Sequence, residues 1–215
     1  MKGMENIQGE LLQLIPSILW FLLGLVLIIL FYRPLRYELL PNLSGFKAMG
    51  VEFSFVQESI EAAIELAEKS PKWKVEISRA DKERALSRAR NHLSVFKGAQ
   101  ILWVDDHPEN NLNERRMLRQ LNTEIDMVTN SEEALRILDN AKYDVVLSDM
   151  ARGQDPLAGL DFLQKLREFD RSTPVIFYIG VIDLDKGVPG RAFGITNRPD
   201  ELLHLILDVL ERKSY

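Results

Sequence analysis

The sequence predicts an α/β fold with a parallel sheet over its C-terminal half, preceded by an apolar helix and a helical spacer. Three observations predict it. From Gln100 onward, short apolar runs alternate with amphipathic stretches, the pattern of strands joined by crossover helices. Two of these runs, around Ile101–Val104 and Val145–Leu147, are continuously apolar, as in strands buried on both faces. Both stop abruptly in acid, at Asp105-Asp106 and at Asp149.

Taken in order, the chain opens with a tail over 1–10 and an uncharged run over 11–32, LLQLIPSILWFLLGLVLIILFY. That run matches the about 20 residues a helix needs to cross roughly 30 Å of hydrocarbon. It is long for the apolar part of a signal peptide, and no small-x-small cleavage site follows it. The expectation is a single transmembrane helix in an inner or plasma membrane. Lys2, Glu5 and Glu10 precede it and Arg33 and Arg36 follow, so the positive-inside rule places the N-terminus outside and the rest in the cytoplasm.

Residues 33–98 read as a juxtamembrane spacer with two helices. Pro34 and Pro41 bracket a connector, and Met49–Phe55 alternates as a short strand would. Val56–Lys69 puts Ile60, Ala63, Ile64 and Ala67 on one helical face. A second helix is expected from Ser78, a good N-cap with Asp81 at the capping-box position. Its basic residues Lys82, Arg84, Arg88 and Arg90 suit either anionic lipid or, preferably, a solvated face with paired charges.

Residues 99–215 carry the α/β pattern. Strands are predicted at 101–105, 124–128, 143–148, 174–179 and 192–196. Helices are predicted near 109–121, 132–140 with Ser131 as N-cap, 158–169, and from Pro199 onward. The last puts Leu202, Leu203, Ile206, Val209 and Leu210 on one stripe.

Composition narrows the chemistry. With no cysteine in 215 residues, disulfides, zinc-thiolate sites and thiol catalysis are excluded. The net charge of −5 gives no reason to expect nucleic-acid binding. His92, His107 and His204 lack metal-ligand spacing and read as surface or capping residues. In a parallel sheet, ligands gather where strands end at a switch in strand order. If the strands ending at 105 and 149 are neighbours, Asp105, Asp106 and Asp149 share one pocket, and three carboxylates together call for a cation. An oxygen-only donor set suits a hard ion, Mg2+ above all.

These residues resemble the receiver domain of two-component response regulators, over about 100–212. The acid pair closing strand 1 (LWVDDHP), the aspartate closing strand 3 (DVVLSDM), Gly159-Leu160 before the third helix and Arg198-Pro199 after strand 5 carry the likeness. The resemblance implies a flavodoxin-like, doubly wound, five-stranded parallel sheet of order 2-1-3-4-5. It implies Asp149 as phosphoacceptor, with Mg2+ held by Asp105, Asp106, Asp149 and the Ala151 backbone carbonyl. It implies a histidine kinase or a small phosphodonor as the phosphoryl source. The sequence departs from the pattern in several places. Ile179 stands where receivers usually carry Ser or Thr, and Arg198 stands where they carry lysine. The loop MARGQDPLAG is slightly long, and GVIDLDKGVPG leaves little room for the fourth helix.

Two main functions are therefore expected. One is a membrane-anchored receiver-like signalling protein whose enzymatic activity is at most autophosphorylation and dephosphorylation of Asp149. The other is a pseudo-receiver, a phosphorylation-independent interaction module. A Mg2+-dependent phosphohydrolase is a third class, but its general acid has only Asp155 and His107 as candidates, both better read as loop residues. No effector sequence follows the receiver-like region, so output is expected through an unknown protein partner, homo-oligomerisation or the spacer helices.

Overall fold

The computed structural model describes residues 19–23, 26, 49–70, 73, 75–182 and 187–213. Two compact units divide at Glu52/Phe53. Most of the 11–32 run lies outside the described residues. Of that run, 19–23 and 26 are helical, with Trp20 and Phe21 among its exposed side chains. Among the described residues, no helix is long and apolar enough to cross a membrane.

Helix α1 (Met49–Lys69) replaces the short strand expected at Met49–Phe55. The alternation there is brief, and a longer helical pattern overrides it: Phe53, Val56, Ile60, Ala63, Ile64 and Ala67 are all buried on one face. Helix α2 (Arg79–Asn91) starts where expected. The Ser78 hydroxyl accepts from the Asp81 amide at 3.1 Å and donates to the Asp81 carboxylate at 2.8 Å. A single turn, α3 (Leu93–Phe96), leads into the sheet.

The basic side of α2 is committed within the chain. Lys82 pairs with Glu68 at 2.7 Å, Arg84 with Asp81, and Arg88 with Asp208 and Glu211. The Arg90 guanidinium lies 5.3 Å from the centre of the Phe53 ring.

The sheet has five parallel strands in the order β2-β1-β3-β4-β5. They are β1 (Gln100–Val104), β2 (Glu124–Val128), β3 (Val145–Ser148), β4 (Val175–Tyr178) and β5 (Gly194–Thr196). A 3-10 turn over Pro108–Asn111 and α4 (Leu112–Gln120) follow β1. Then come α5 (Ser131–Asn140), α6 (Ala158–Phe169) and α7 (Pro199–Lys213). The N-cap of α5 is Asn130, whose side chain accepts from the Glu133 amide at 2.8 Å, and not the expected Ser131. Asn130 has the extended backbone an N-cap needs, and asparagine caps as well as serine. No described residue between β4 and β5 is helical.

Period-two alternation splits the core into two layers. Ile101, Trp103, Val145, Leu147, Ile176 and Tyr178 face α4, α7 and the helices over 53–96. Leu102, Val104, Val146, Val175 and Phe177 face α5 and α6. The helical segment after Phe53 is therefore part of the same core as the sheet, with the Trp73 and Tyr178 rings 5.0 Å apart.

Candidate functional site

Register brings the three acids together. Strand β1 pairs with β3 so that Val104 stands opposite Ser148, and the next residue on each strand is Asp105 and Asp149. The Asp149 amide donates to the Val104 carbonyl at 3.0 Å, continuing the ladder to the strand ends. One carboxylate oxygen from each of Asp105, Asp106 and Asp149 lies within 4.8 Å of the others. The adjacency left conditional by the sequence is therefore met.

Fixed donors orient each acid. Asp105, 4% exposed, accepts from the His107 amide at 2.7 Å and from the Asn111 side chain. Asp106 Oδ2 accepts from the Gly153 amide at 2.7 Å, tying the loop after β3 to the end of β1. Asp149 Oδ1 accepts from the Met150 amide at 2.7 Å. At Asp105 and Asp149 these bonds favour the charged form, yet burial outweighs them. Desolvation raises the pKa of Asp105 and of Asp149; the charge of Asp106 adds to it at Asp105, and the charges of Asp105 and Asp106 add to it at Asp149. The donor set is hard oxygen only, with short fixed carboxylates, and it fits Mg2+.

The raised pKa values set a sign for stability. An aspartate whose folded-state pKa is raised stabilises the fold fully below its ordinary pKa, and that contribution is lost as pH rises through the raised value. A cation seated among the acids reverses the loss by favouring the ionised forms. The gain in thermal midpoint on adding Mg2+ is therefore expected to be negligible near about pH 4 and to grow toward neutrality. Thermal unfolding followed by circular dichroism, with and without Mg2+, checks this.

The other anticipated residues are placed differently. Arg198 is bound by Asp200 at 2.6 Å and by Asp81 at 3.2 Å, so its charge is committed to two other acids. Ile179 packs against the apolar layer, and its amide donates to the Thr196 carbonyl at 3.0 Å. Ala151, two residues past Asp149, is exposed in the loop. Asp155 and His107, weighed as general acids, are both exposed. Asp155 exchanges backbone hydrogen bonds with Arg152. His107 Nε2 lies 3.8 Å from Asp106.

Arg152 was missed by the sequence reading. It is buried beside the acids and donates to the Ser148 hydroxyl, to the Asp149 carbonyl at 3.1 Å and to the Ser131 hydroxyl at 2.9 Å. The one signal in the sequence was a lone basic residue in an overlong loop, three positions after Asp149. Asn111 was also missed, since nothing in its local pattern marks it as the donor to Asp105.

Comparison with known proteins agrees with this geometry. The family model described as "Response regulator receiver domain" matches residues 101–195. Sensor protein EvgS of Escherichia coli (strain K12) is 29% identical over 89 residues, covering 41% of this chain and 7% of that protein. Probable histidine kinase 1 of Oryza sativa subsp. indica is 30% identical over 94 residues, covering 44% and 10%. The match thus spans a small part of either relative.

Among solved structures, a response regulator receiver domain protein from Clostridium thermocellum is 27% identical with a TM-score of 0.47, covering 54% of this chain and 97% of that one. The response regulator TrrA from Thermotoga maritima, in complex with Mg(2+)-BeF, is 24% identical with a TM-score of 0.44, covering 52% and 98%. The acid triad at the ends of β1 and β3 falls within the segment, residues 101–195, that matches the response regulator receiver domain.

Proposed function

We propose that this chain is a phosphoryl-accepting signalling protein, with Asp149 as the acceptor and Mg2+ held by Asp105, Asp106, Asp149 and the Ala151 carbonyl. The observation that carries the reading is the approach of the three carboxylates to within 4.8 Å. A carboxylate oxygen of Asp149 attacks phosphorus, forming an acyl phosphate as the donor's N–P or O–P bond breaks and its bonding pair leaves with the donor's nitrogen or oxygen. Mg2+ in the pocket supplies charge neutralisation to the transferring group. Asp105 and Asp106, fixed by His107, Asn111 and Gly153, keep the donor set in place.

The phosphoryl source is a histidine kinase or a small phosphodonor, a reading helped by the relative named as a probable histidine kinase. The uncharged run over 11–32, with Arg33 and Arg36 after it, supports a single-pass anchor in an inner or plasma membrane with the receiver in the cytoplasm. Output passes through a protein partner, self-association or the helices over 53–96.

The specific test is incubation of the full chain with Mg2+ and acetyl phosphate, followed by peptide mapping. A hydroxylamine-labile phosphate on Asp149, absent when Mg2+ is chelated, is the expected result. No incorporation under conditions where Mg2+ binds favours the second reading, a phosphorylation-independent interaction module. The commitment of Arg198 to Asp81 and Asp200 and the apolar Ile179 support that second reading. Phosphate release from many substrates points instead to a phosphohydrolase.

A further inference from the structure

The loop between β3 and α6 carries a charge that the phosphoacceptor reading does not use. Arg152 is 8% exposed, and arginine is seldom buried so deeply unless it is paired. Its hydrogen bonds go to neutral oxygens: the Ser148 hydroxyl, the Asp149 main-chain carbonyl and the Ser131 hydroxyl. Its Nε is buried with no hydrogen-bond partner among the described residues. The guanidinium carbon lies 5.5 Å from the centre of the Phe162 ring, a weak compensation for a full desolvated charge.

What offsets that charge is the acid pocket. The carboxylates acting on Arg152 through space include Asp149, Asp106 and Asp105. The next residue, Gly153, donates to Asp106. One short loop segment therefore touches both acid-bearing strand ends and places a fixed positive charge beside them.

We propose that Arg152 is the standing counter-charge of the carboxylate pocket and limits how tightly the pocket takes a divalent cation. The inference rests on the reading of the pocket as a Mg2+ site and deepens it. With Arg152 in place, the three acids are held together before any ion arrives, because part of their repulsion is already cancelled. An incoming divalent ion meets that same positive charge, so its binding is weaker than three carboxylates alone would give. Arg152 is a positioning residue: its bonds go to the backbone and hydroxyls that frame Asp149 and not to a carboxylate.

The sign of one measurement separates this role from a merely structural one. Mg2+ is titrated into the full chain and followed by tryptophan fluorescence, for the wild type, Arg152→Met, Arg152→Gln and Arg152→Lys. Arg152→Met keeps an apolar stem over Phe162, and Arg152→Gln keeps a hydrogen-bonding tip. Either variant that folds is expected to bind Mg2+ roughly tenfold more tightly, the change that about 1.4 kcal/mol of removed repulsion produces. Arg152→Lys is expected to stay near the wild type.

A structural role predicts weaker binding, because a loosened loop spoils the site. Unchanged or weaker binding in a neutral variant with wild-type circular dichroism overturns the inference. A wild type that binds no Mg2+ while a neutral variant does supports the inference, and no Mg2+ binding by the wild type or any variant overturns it together with the metal reading.

Discussion

Asp149→Asn is expected to abolish labelling by acetyl phosphate while leaving the apo protein more stable than the wild type at neutral pH. Loss of labelling follows from the chemistry: an amide oxygen does not form a lasting acyl phosphate. The gain in stability follows from the environment. Burial raises the Asp149 pKa, and the charges of Asp105 and Asp106 act in the same direction, so the ionised side chain is held against its preference. Asparagine removes that charge and can still accept from the Met150 amide, the bond its Oδ1 makes in the wild type. Functional sites commonly trade stability in this way.

The check is a pair of thermal melts at neutral pH without metal, beside a labelling assay. The variant should melt higher and remain unlabelled. In Mg2+ the order narrows or reverses, since the wild type alone keeps all three acids for the ion. A variant less stable than the wild type in the absence of metal contradicts the picture of a strained acid pocket.

Gly159→Ala is the second large effect, and it reaches the site through the backbone. A Cβ at Gly159 would stand 2.5 Å from the Asp149 carbonyl oxygen, 2.9 Å from Phe177 Cε1 and 3.0 Å from Met150 Cα. The Phe177 ring can tilt. The Asp149 and Met150 backbone has little room to move, because the Asp149 amide donates to β1 and the Met150 carbonyl accepts from the Gly159 amide at 2.8 Å. Overpacking of this kind costs about 1–3 kcal/mol. The backbone that must shift carries the acceptor aspartate, so Mg2+ affinity and labelling are expected to fall together with stability. Gly190→Ala, where an added Cβ meets nothing within 4 Å, is the control and should be near neutral. Denaturant unfolding of the two variants, with Mg2+ titration of each, checks both parts.

The legible part of this molecule was the part written in local pattern. The strands ending at Asp105 and Asp149 were readable because parallel strands buried on both faces must be continuously apolar and the acids end them sharply. The Ser78 cap was readable because its hydroxyl and Asp81 act within one turn. The strand expected at Met49–Phe55 failed because a brief alternation was outweighed by a helical stripe continuing to Ala67.

What could not be read was contact across the fold. That helices over 53–96 share a core with the sheet depends on tertiary packing, to which hydrophobic periodicity is blind. The capture of Arg198 by Asp81 joins residues more than a hundred positions apart. Arg152 escaped for a similar reason. Ser131 opens α5 and Asp106 follows β1, both distant in sequence, and a basic residue in a polar loop looks solvated until the fold closes over it.

The central claim is that Asp105, Asp106 and Asp149 jointly hold one divalent ion. Anomalous diffraction from crystals of the chain grown with Mn2+, a hard-oxygen substitute for Mg2+, tests it most directly. The account predicts one strong peak bonded to oxygens of all three residues. No peak at the ends of β1 and β3, or a peak bonded to only one of the three, would contradict it.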